Sequence, residues 1–206
     1  MQWLGINAGD TIVLYDRTPV MMFAARLWST MQGFGETNVH LLKGGFNEWV
    51  ELDLPTSDQP EPDYKKGNWT AKPNAEFFVS TDQLLQLVAD NVEKPCLLDA
   101  RPAAQYKGED RSGWKADVSG SYLANTTNMP VGQFFDAGLL KDKATLKTAL
   151  DGSLPNCDHV LTLCNHGVQA SVLLFVIAYA TDGHVHAQLH SNGLNEVCNV
   201  KPDALK

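Results

Sequence analysis

Long apolar runs and basic clusters are both missing from this chain of 206 residues. The longest apolar stretch, Val172 to Ala180, is much shorter than the roughly 20 residues that a membrane-spanning helix needs. Lys and Arg number 16 against 24 Asp and Glu, which leaves a formal net charge of −8. Because nonspecific nucleic-acid binding requires clustered basic side chains, we expect no nucleic acid and no membrane span, and small molecules or proteins as partners.

Cysteines are also few. The four, Cys96, Cys157, Cys164 and Cys198, include no Cys-x-x-Cys pair. The sequence therefore predicts neither a zinc site nor a disulfide framework. Buried free thiols are the expectation, and Cys96 lies in the apolar stretch Pro95–Leu98, where a free cysteine packs like a small hydrophobic residue.

An internal repeat is the main feature that the sequence does contain. A shift of 148 residues lays positions 10–49 over 158–197 without a gap, with seven identities. Each copy has a short apolar run, a turn, a helical stretch (Val20–Phe34 or Val168–Ala180), a second apolar run and a Gly-containing turn. This order predicts βαβ units, and hence an α/β fold with a central parallel sheet flanked by helices. The identical pairs are Asp10/Asp158, Val20/Val168, Gly35/Gly183, Leu41/Leu189, Gly45/Gly193, Asn47/Asn195 and Glu48/Glu196.

The two copies belong to domains of unequal extent. A Pro-rich polar stretch between the copies is typical of an extended connection. The sequence predicts a partial first domain over 1–54, a linker over 55–79 and a complete second domain over 80–206. In the second domain Thr81 is expected to cap a helix that runs to about Asn91, before a strand that ends at Asp99.

The first copy has no counterpart of residues 80–157. Either the chain is a fragment of a longer protein, which we favour, or its exposed sheet edge is covered by something else. Met1 to Gly5 shows no secretory signal and is typical of mid-domain sequence. A cytoplasmic location is the expectation, with a periplasmic location as the alternative because the front of the chain is expected to be missing.

The copies differ where the first strand of each ends. One copy has Tyr15–Val20 and the other Leu163–Val168, so that Cys164 is equivalent to Asp16. Ligands bind at the carboxyl ends of strands in α/β sheets. Backbone N–H groups of the loop and the helix N-terminus would stabilise an anion there, lower the pKa of the Cys164 thiol and hold a persulfide. Gly167 would allow the tight loop; the alternative is that Cys164 is a buried strand-end residue.

These residues resemble the two-domain rhodaneses, the thiosulfate and 3-mercaptopyruvate sulfurtransferases, in which an inactive first domain precedes an active second one. The resemblance covers nearly the whole chain, and it is carried by the order of its segments more than by any one of them. The segments are Ile12–Arg17, Ala24–Trp28, Leu42–Trp49, Leu98–Arg101, Asn128–Pro130 and Cys164–Val168.

The resemblance implies two rhodanese-like domains, one complete and one partial, and a sulfurtransferase that needs no metal or organic cofactor. Cys164 would take a sulfane sulfur from a small anionic donor, thiosulfate or 3-mercaptopyruvate, and pass it from a persulfide to a thiol or cyanide acceptor. A protein is an additional candidate acceptor. Asp99 is expected to brace the loop, although a structural Asp99–Arg101 ion pair is an open alternative. The substrate-binding residues implied are Arg101, Asn165, His166, Gly167, Val168 and Gln169.

Several positions depart from the family pattern. Asn165 and His166 stand where the family carries Arg-Lys or Gly-Ser/Thr, Gln105 stands where it often has a second Arg, and Gln169 replaces Thr. The donor is therefore left open, and activity toward the common donors is expected to be low. His166 would bind a donor anion or the persulfide, or else face solvent.

Two other functions are weighed against sulfur transfer. A cysteine phosphatase would need an Arg six residues after the cysteine to grip phosphate, but that position is Ala170. A noncatalytic sulfur carrier, redox-responsive cysteine or protein-binding module is the more serious alternative, because the loop departs from the family pattern.

Overall fold

A computed structural model describes residues 1–18, 20–90, 95–112, 120–154 and 157–206 of the chain. The first repeat forms β1 (Ile12–Leu14), α1 (Met22–Gly33), β2 (Val39–Leu41) and α2 (Gly45–Glu51). Strands β1 and β2 pair in parallel. The first repeat is therefore a βαβ unit, as its sequence pattern predicts.

The middle of the chain begins as a polar connection. Residues 54–74 contain no helix or strand, and they run back over the first repeat, where the Trp69 indole N–H donates to a carboxylate oxygen of Glu36 (2.8 Å). The elements that follow are α3 (Thr81–Ala89), β3 (Cys96–Asp99), α4 (Ala103–Tyr106), β4 (Thr126–Asn128), β5 (Phe135–Asp136), β6 (Leu139–Leu140) and α5 (Lys143–Ser153).

The cap of α3 differs from the expectation. Ser80, not Thr81, caps the helix in a reciprocal capping box with Gln83. The Thr81 hydroxyl donates instead to Glu196, because Thr81 is the first helical residue and its side chain faces the second repeat. The helix ends at Ala89, and Asn91 lies outside the described residues.

The second repeat forms β7 (His159–Leu163), α6 (Val168–Ala180), β8 (His186–Leu189) and α7 (Leu194–Val200). It repeats the order of the first copy, and α6 has the bounds that the apolar pattern predicts. A parallel sheet with strand order β4-β3-β7-β8 forms the centre of this part of the molecule. Its carboxyl ends share one edge, which places the segments after Asp99 and Leu163 side by side.

Helices α1 and α6 join the two repeats. Trp28 of α1 packs edge-on against Phe175 of α6, with ring centroids 5.2 Å apart. One cluster of buried apolar side chains contains Trp28 and Val39 from the first repeat together with Leu98 and Leu173 from the rest of the chain. The helix α6 is apolar around most of its circumference because it is covered on both sides. The domain boundaries at residues 54 and 79 stay predictions.

Cys96 and Cys157 form a disulfide, so the expectation of free thiols at these two positions is wrong. Cys96 begins β3, and Cys157 precedes β7, the strand that pairs with β3. Their Cα atoms lie 6.2 Å apart although 61 residues separate them in sequence. Sequence spacing does not show this proximity, because the pairing of β3 with β7 creates it.

The described residues contain neither a membrane-spanning helix nor a cluster of metal ligands. No helix among the described residues is long and apolar enough to cross a bilayer. In the same part of the chain, no group of three or more His, Cys, Asp or Glu side chains is placed to hold a metal ion.

Candidate active site

Cys164 directly follows β7, a strand whose residues 160–163 are all buried. Its Sγ accepts a hydrogen bond from the backbone N–H of Ala170 in the first turn of α6 (3.4 Å). The backbone N–H groups of His166 and Gly167 also act on the sulfur. The expected cradle of amides around the sulfur is therefore present, formed by the loop and the start of α6.

The pKa of the Cys164 thiol differs from the expectation. Burial raises the pKa, since only 2% of the residue is exposed and desolvation disfavours a thiolate. The N–H groups of Ala170, His166 and Gly167 oppose this effect, and the Asp99 carboxylate adds to it. The prediction of a lowered thiol pKa is wrong for the resting protein, because desolvation outweighs the amides.

The N-terminal end of α7 supports the back of the cysteine loop. Leu194 N–H donates to the Cys164 carbonyl (2.8 Å), and Asn195 N–H donates to the Asn165 carbonyl (3.2 Å). A peptide's N–H points opposite to its C=O, so holding the Asn165 carbonyl away from the sulfur turns the N–H of His166 toward it. Gly193 makes this approach feasible: a Cβ there would lie 2.2 Å from the Asn165 carbonyl oxygen.

Gly167 has the role expected for it. Its φ is +76°, a left-handed conformation that favours glycine. A Cβ at this position would lie 2.2 Å from the Ser191 carbonyl oxygen and 2.7 Å from the Arg26 guanidinium. The loop can therefore turn into α6 only because this residue has no side chain.

Asp99 and Arg101 form a fully buried ion pair behind the loop. The Arg101 Nη2 lies 2.6 Å from an Asp99 carboxylate oxygen and donates to the Ser121 carbonyl (2.6 Å), while Nη1 donates to the Asn165 side-chain oxygen (3.1 Å). The structure therefore contains the Asp99–Arg101 ion pair that was the open alternative, and Arg101 links this pair to Asn165 of the loop. The structure places Arg101 away from the cavity and in contact with Asn165, which differs from the expectation that it binds substrate, because the buried carboxylate draws the guanidinium inward.

A cavity of about 360 Å³ opens beside the cysteine. It brings together five of the predicted site residues, Cys164, Asn165, His166, Val168 and Gln169, while Gly167 shapes the loop behind them. Its other lining residues are Gln105, Ser112, Met22 and Phe23.

Met22 and Phe23 come from α1 of the first repeat, and sequence reasoning did not place them at the site. The repeat alignment could have indicated these two residues, because Met22 and Phe23 follow the Asp16 loop, which is equivalent to the Cys164 loop. Only the packing of α1 against α6 shows that they face the other repeat's cavity.

His166 is exposed at the cavity. The Asn195 side-chain nitrogen lies 2.8 Å from its Nε2. Since an amide nitrogen donates, this contact places the imidazole proton on Nδ1 in the neutral ring. Asn195 belongs to the identical pair Asn47/Asn195 of the repeat, which is the signal that could have singled it out.

Comparisons with known proteins agree with this architecture. The model of the rhodanese-like domain matches residues 2–52. The chain is 27% identical to the 3-mercaptopyruvate sulfurtransferase of Escherichia coli, over 86% of this chain and 62% of that protein. It is 26% identical to the thiosulfate sulfurtransferase of Gallus gallus, over 64% of this chain and 44% of that protein. Residues 2–52 thus match the rhodanese-like domain, and the chain as a whole is similar to these sulfurtransferases.

One solved structure is similar to the chain over its whole length. The Tum1 protein from Saccharomyces cerevisiae superimposes with a TM-score of 0.81 at 21% identity, covering 100% of this chain and 72% of that one. This similarity concerns the fold alone. The chain spans less than two thirds of the length of the curated relatives that it matches first.

The first repeat has a carboxylate, Asp16, where the second has its thiol. The Asp16 carboxylate accepts hydrogen bonds from the backbone N–H groups of Thr18 (3.0 Å), Phe23 (2.8 Å) and Ala24 (2.9 Å). An amide cradle at the same strand end thus binds a negative oxygen in one copy. The equivalent cradle in the second copy has the geometry to bind a negative sulfur.

Proposed function

We propose that this chain is a sulfurtransferase that carries a sulfane sulfur as a Cys164 persulfide. The observation that supports the proposal is the Cys164 Sγ, which lies in an amide cradle and lines an open cavity. The same N–H groups would stabilise the terminal sulfur of a persulfide, which lies farther into the cavity and is therefore less desolvated than the resting thiol. Sulfurtransferase activity among the relatives supports the assignment.

The proposed reaction has two half-reactions. The Cys164 thiolate attacks the outer sulfur of thiosulfate, a new S–S bond forms to Cys164, and sulfite leaves with the electron pair of the old S–S bond. With 3-mercaptopyruvate the C–S bond breaks instead, and the carbon fragment leaves as pyruvate after taking up a proton. A thiolate or cyanide then attacks the terminal persulfide sulfur and releases the Cys164 thiolate.

Because the pKa of the Cys164 thiol is raised, the first half-reaction requires that the thiol loses its proton. At neutral pH the resting thiol is mainly protonated, so its proton must leave when the donor binds. His166 is the titratable side chain other than Cys164 among the described residues that line the cavity. It is the candidate acceptor of that proton at Nε2, once Nε2 is released from its contact with Asn195. The remaining described lining is amide, hydroxyl and apolar groups, which suits a small donor held mainly by hydrogen bonds.

Mass spectrometry of the intact protein tests the assignment. Incubation with thiosulfate or 3-mercaptopyruvate is expected to add the mass of one sulfur at Cys164, and Cys164→Ser is expected to abolish the addition. Cys198→Ser is the matched control, because Cys198 is the other buried free cysteine, and it should still be labelled. Sulfur addition at Cys198, or none with any donor, would contradict the proposal.

A noncatalytic sulfur carrier or protein-binding module is the second candidate. The raised pKa of Cys164 favours the protein-binding module, because a protonated thiol is a poor nucleophile and both a carrier and an enzyme must accept sulfur through a thiolate. The two candidates differ in turnover: a carrier would accept sulfur from a persulfide protein without consuming thiosulfate or 3-mercaptopyruvate over many cycles.

The Cys96–Cys157 disulfide bears on location. Disulfides persist mainly in oxidising compartments, so this bond favours the periplasmic alternative over the cytoplasmic location that the sequence first indicates. Thiol trapping of the protein in intact cells would decide between the two locations. We expect two free thiols per chain if the protein is periplasmic with the disulfide formed, and four if it is cytoplasmic and reduced.

A further inference from the structure

Arg26 of α1 extends from the first repeat to the cysteine loop of the second. Its Nη2 donates to the Ser191 hydroxyl (2.8 Å) and lies 3.5 Å from the Ser191 carbonyl oxygen. Its Nη1 donates to the Gly167 carbonyl (3.4 Å). One half-buried guanidinium therefore joins two loops that follow neighbouring strands, β7 and β8.

The two loops meet directly behind the cysteine. The Gly167 Cα faces both the Ser191 carbonyl and the Arg26 guanidinium, so closely that a Cβ would contact both within 3 Å. The Gly167 carbonyl also accepts from the backbone N–H of Ser171 (3.1 Å) and from its hydroxyl (2.8 Å). These bonds belong to α6 itself, and Arg26 adds the contact that comes from another element.

We propose that Arg26 is a positioning residue, through which the first repeat holds the sulfur-binding loop of the second. These contacts hold the end of the turn between Cys164 and α6, at the Gly167 carbonyl, against Ser191 in the loop that follows β8. The N–H groups of His166, Gly167 and Ala170 then stay directed at the sulfur.

The chemistry of the arginine side chain suits this role. A planar guanidinium can donate to two acceptors on different loops at once, whereas a lysine ammonium is a single point on a flexible chain. The first repeat has Asp16 in place of a nucleophile, and this contact gives its helix α1 a part in the reaction of the other repeat. The inference rests on the proposed function for its kinetic test, although not for its test on the thiol itself.

Variants of the full chain test the inference. Arg26→Met keeps much of the side-chain volume but removes the donors, Arg26→Lys keeps the charge, and Ser191→Ala removes the 2.8 Å contact from the other side. Arg17→Met is the matched control, because Arg17 belongs to the same repeat and its guanidinium lies over the Phe46 ring.

The expected kinetic result is a lower kcat at little-changed KM. A slightly misplaced catalytic group can reduce rates by up to about 100-fold, so we expect Arg26→Met to lower kcat about tenfold. Ser191→Ala should also lower kcat. Arg26→Lys should have a kcat between those of Arg26→Met and wild type. The double variant Arg26→Met/Ser191→Ala should have the same kcat as Arg26→Met alone, because the two residues act through one contact. Arg17→Met should behave as wild type.

A second readout does not require sulfur transfer. The alkylation rate of Cys164 is measured against pH, and the midpoint is expected to move to higher pH in Arg26→Met and not in Arg17→Met, because the N–H groups are less well directed at a thiolate. If wild type forms no persulfide with any donor, the proposed function fails and the alkylation profile alone judges Arg26.

Some outcomes would overturn the inference. A wild-type kcat and alkylation profile in Arg26→Met, even with a lower melting temperature, would show that Arg26 only stabilises the fold. If Arg26→Met does not fold, a wild-type kcat and profile in both Ser191→Ala and Arg26→Lys would have the same meaning.

Discussion

At the scale of single residues, the position of Cys164 at the end of a buried strand has two opposing effects on the pKa of its thiol. The strand end that supplies amide donors also removes water from the sulfur, and burial raises the pKa of the thiol more than the donors lower it. In the equivalent cradle of the first repeat, the half-buried Asp16 carboxylate accepts hydrogen bonds from three backbone N–H groups. The amide cradle is therefore common to both repeats, while the group that occupies it decides the chemistry.

Substitution of Gly167 is predicted to damage both stability and the thiol site. Gly167→Ala places a Cβ 2.2 Å from the Ser191 carbonyl oxygen at a φ of +76°, so the loop must move. Gly183→Ala is the matched control, because Gly183 has a φ of +73° with nothing within 4 Å of its Cβ position. The control should lose about 1 kcal/mol from backbone strain alone.

Urea unfolding and Cys164 alkylation measure the two effects. Gly167→Ala should lose clearly more stability than Gly183→Ala and should alkylate at an altered rate. Equal losses in the two variants, with unchanged alkylation in both, would show that the loop tolerates a side chain at Gly167.

At the scale of elements, the repeat identities have a physical explanation. In each copy a glycine starts the second helix against the loop that follows the first strand: a Cβ on Gly45 would lie 2.4 Å from the Asp16 carbonyl oxygen, and one on Gly193 would lie 2.2 Å from that of Asn165. Phe46 N–H donates to the Asp16 carbonyl (2.9 Å), just as the start of α7 holds the cysteine loop. The glycines mark a close helix-to-loop approach in both repeats.

The disulfide between β3 and β7 is predicted to stabilise the sheet. It closes a loop of 61 residues, for which the chain-entropy estimate is roughly 4 kcal/mol. The double variant Cys96→Ser/Cys157→Ser should therefore unfold at a lower urea concentration than the oxidised wild type.

Reduction provides the control for this prediction. Dithiothreitol should lower the wild-type midpoint to near that of the double variant and leave the double variant unchanged. A wild-type midpoint that is insensitive to reduction would contradict the prediction that the bond stabilises the fold.

At the scale of the whole molecule, the two repeats share one core. Trp28 is 8% exposed and packs on Phe175 across the repeats, and the Ser29 hydroxyl donates to the buried Ser171 hydroxyl (2.9 Å). Together with Arg26 and the cavity residues of α1, these contacts make the first repeat a structural part of the cavity beside Cys164.

Truncation of Trp28 is predicted to destabilise the chain as one cooperative unit. Trp28→Ala should cost about 3 kcal/mol, typical of a large buried aromatic side chain, and should lower a single unfolding transition seen by both fluorescence and circular dichroism. Trp3→Ala is the control, because Trp3 is 80% exposed and should have little effect. Two separate transitions, with only one of them moved, would indicate that the repeats unfold independently.

The sequence by itself determined the α/β class, the two repeats and the position of Cys164, because apolar periodicity and the order of elements are local properties that a shift of 148 residues makes visible. It also placed Gly167 correctly, since a turn from strand into helix demands backbone freedom.

Only the tertiary structure decided that Cys96 and Cys157 are bonded, that Arg101 is enclosed by Asp99 and Asn165, and that burial raises the thiol pKa. Each of these depends on which distant segments come to lie side by side, and on how much water their packing excludes. Local sequence spacing predicts neither strand pairing nor desolvation, because both arise from contacts between residues far apart in the chain.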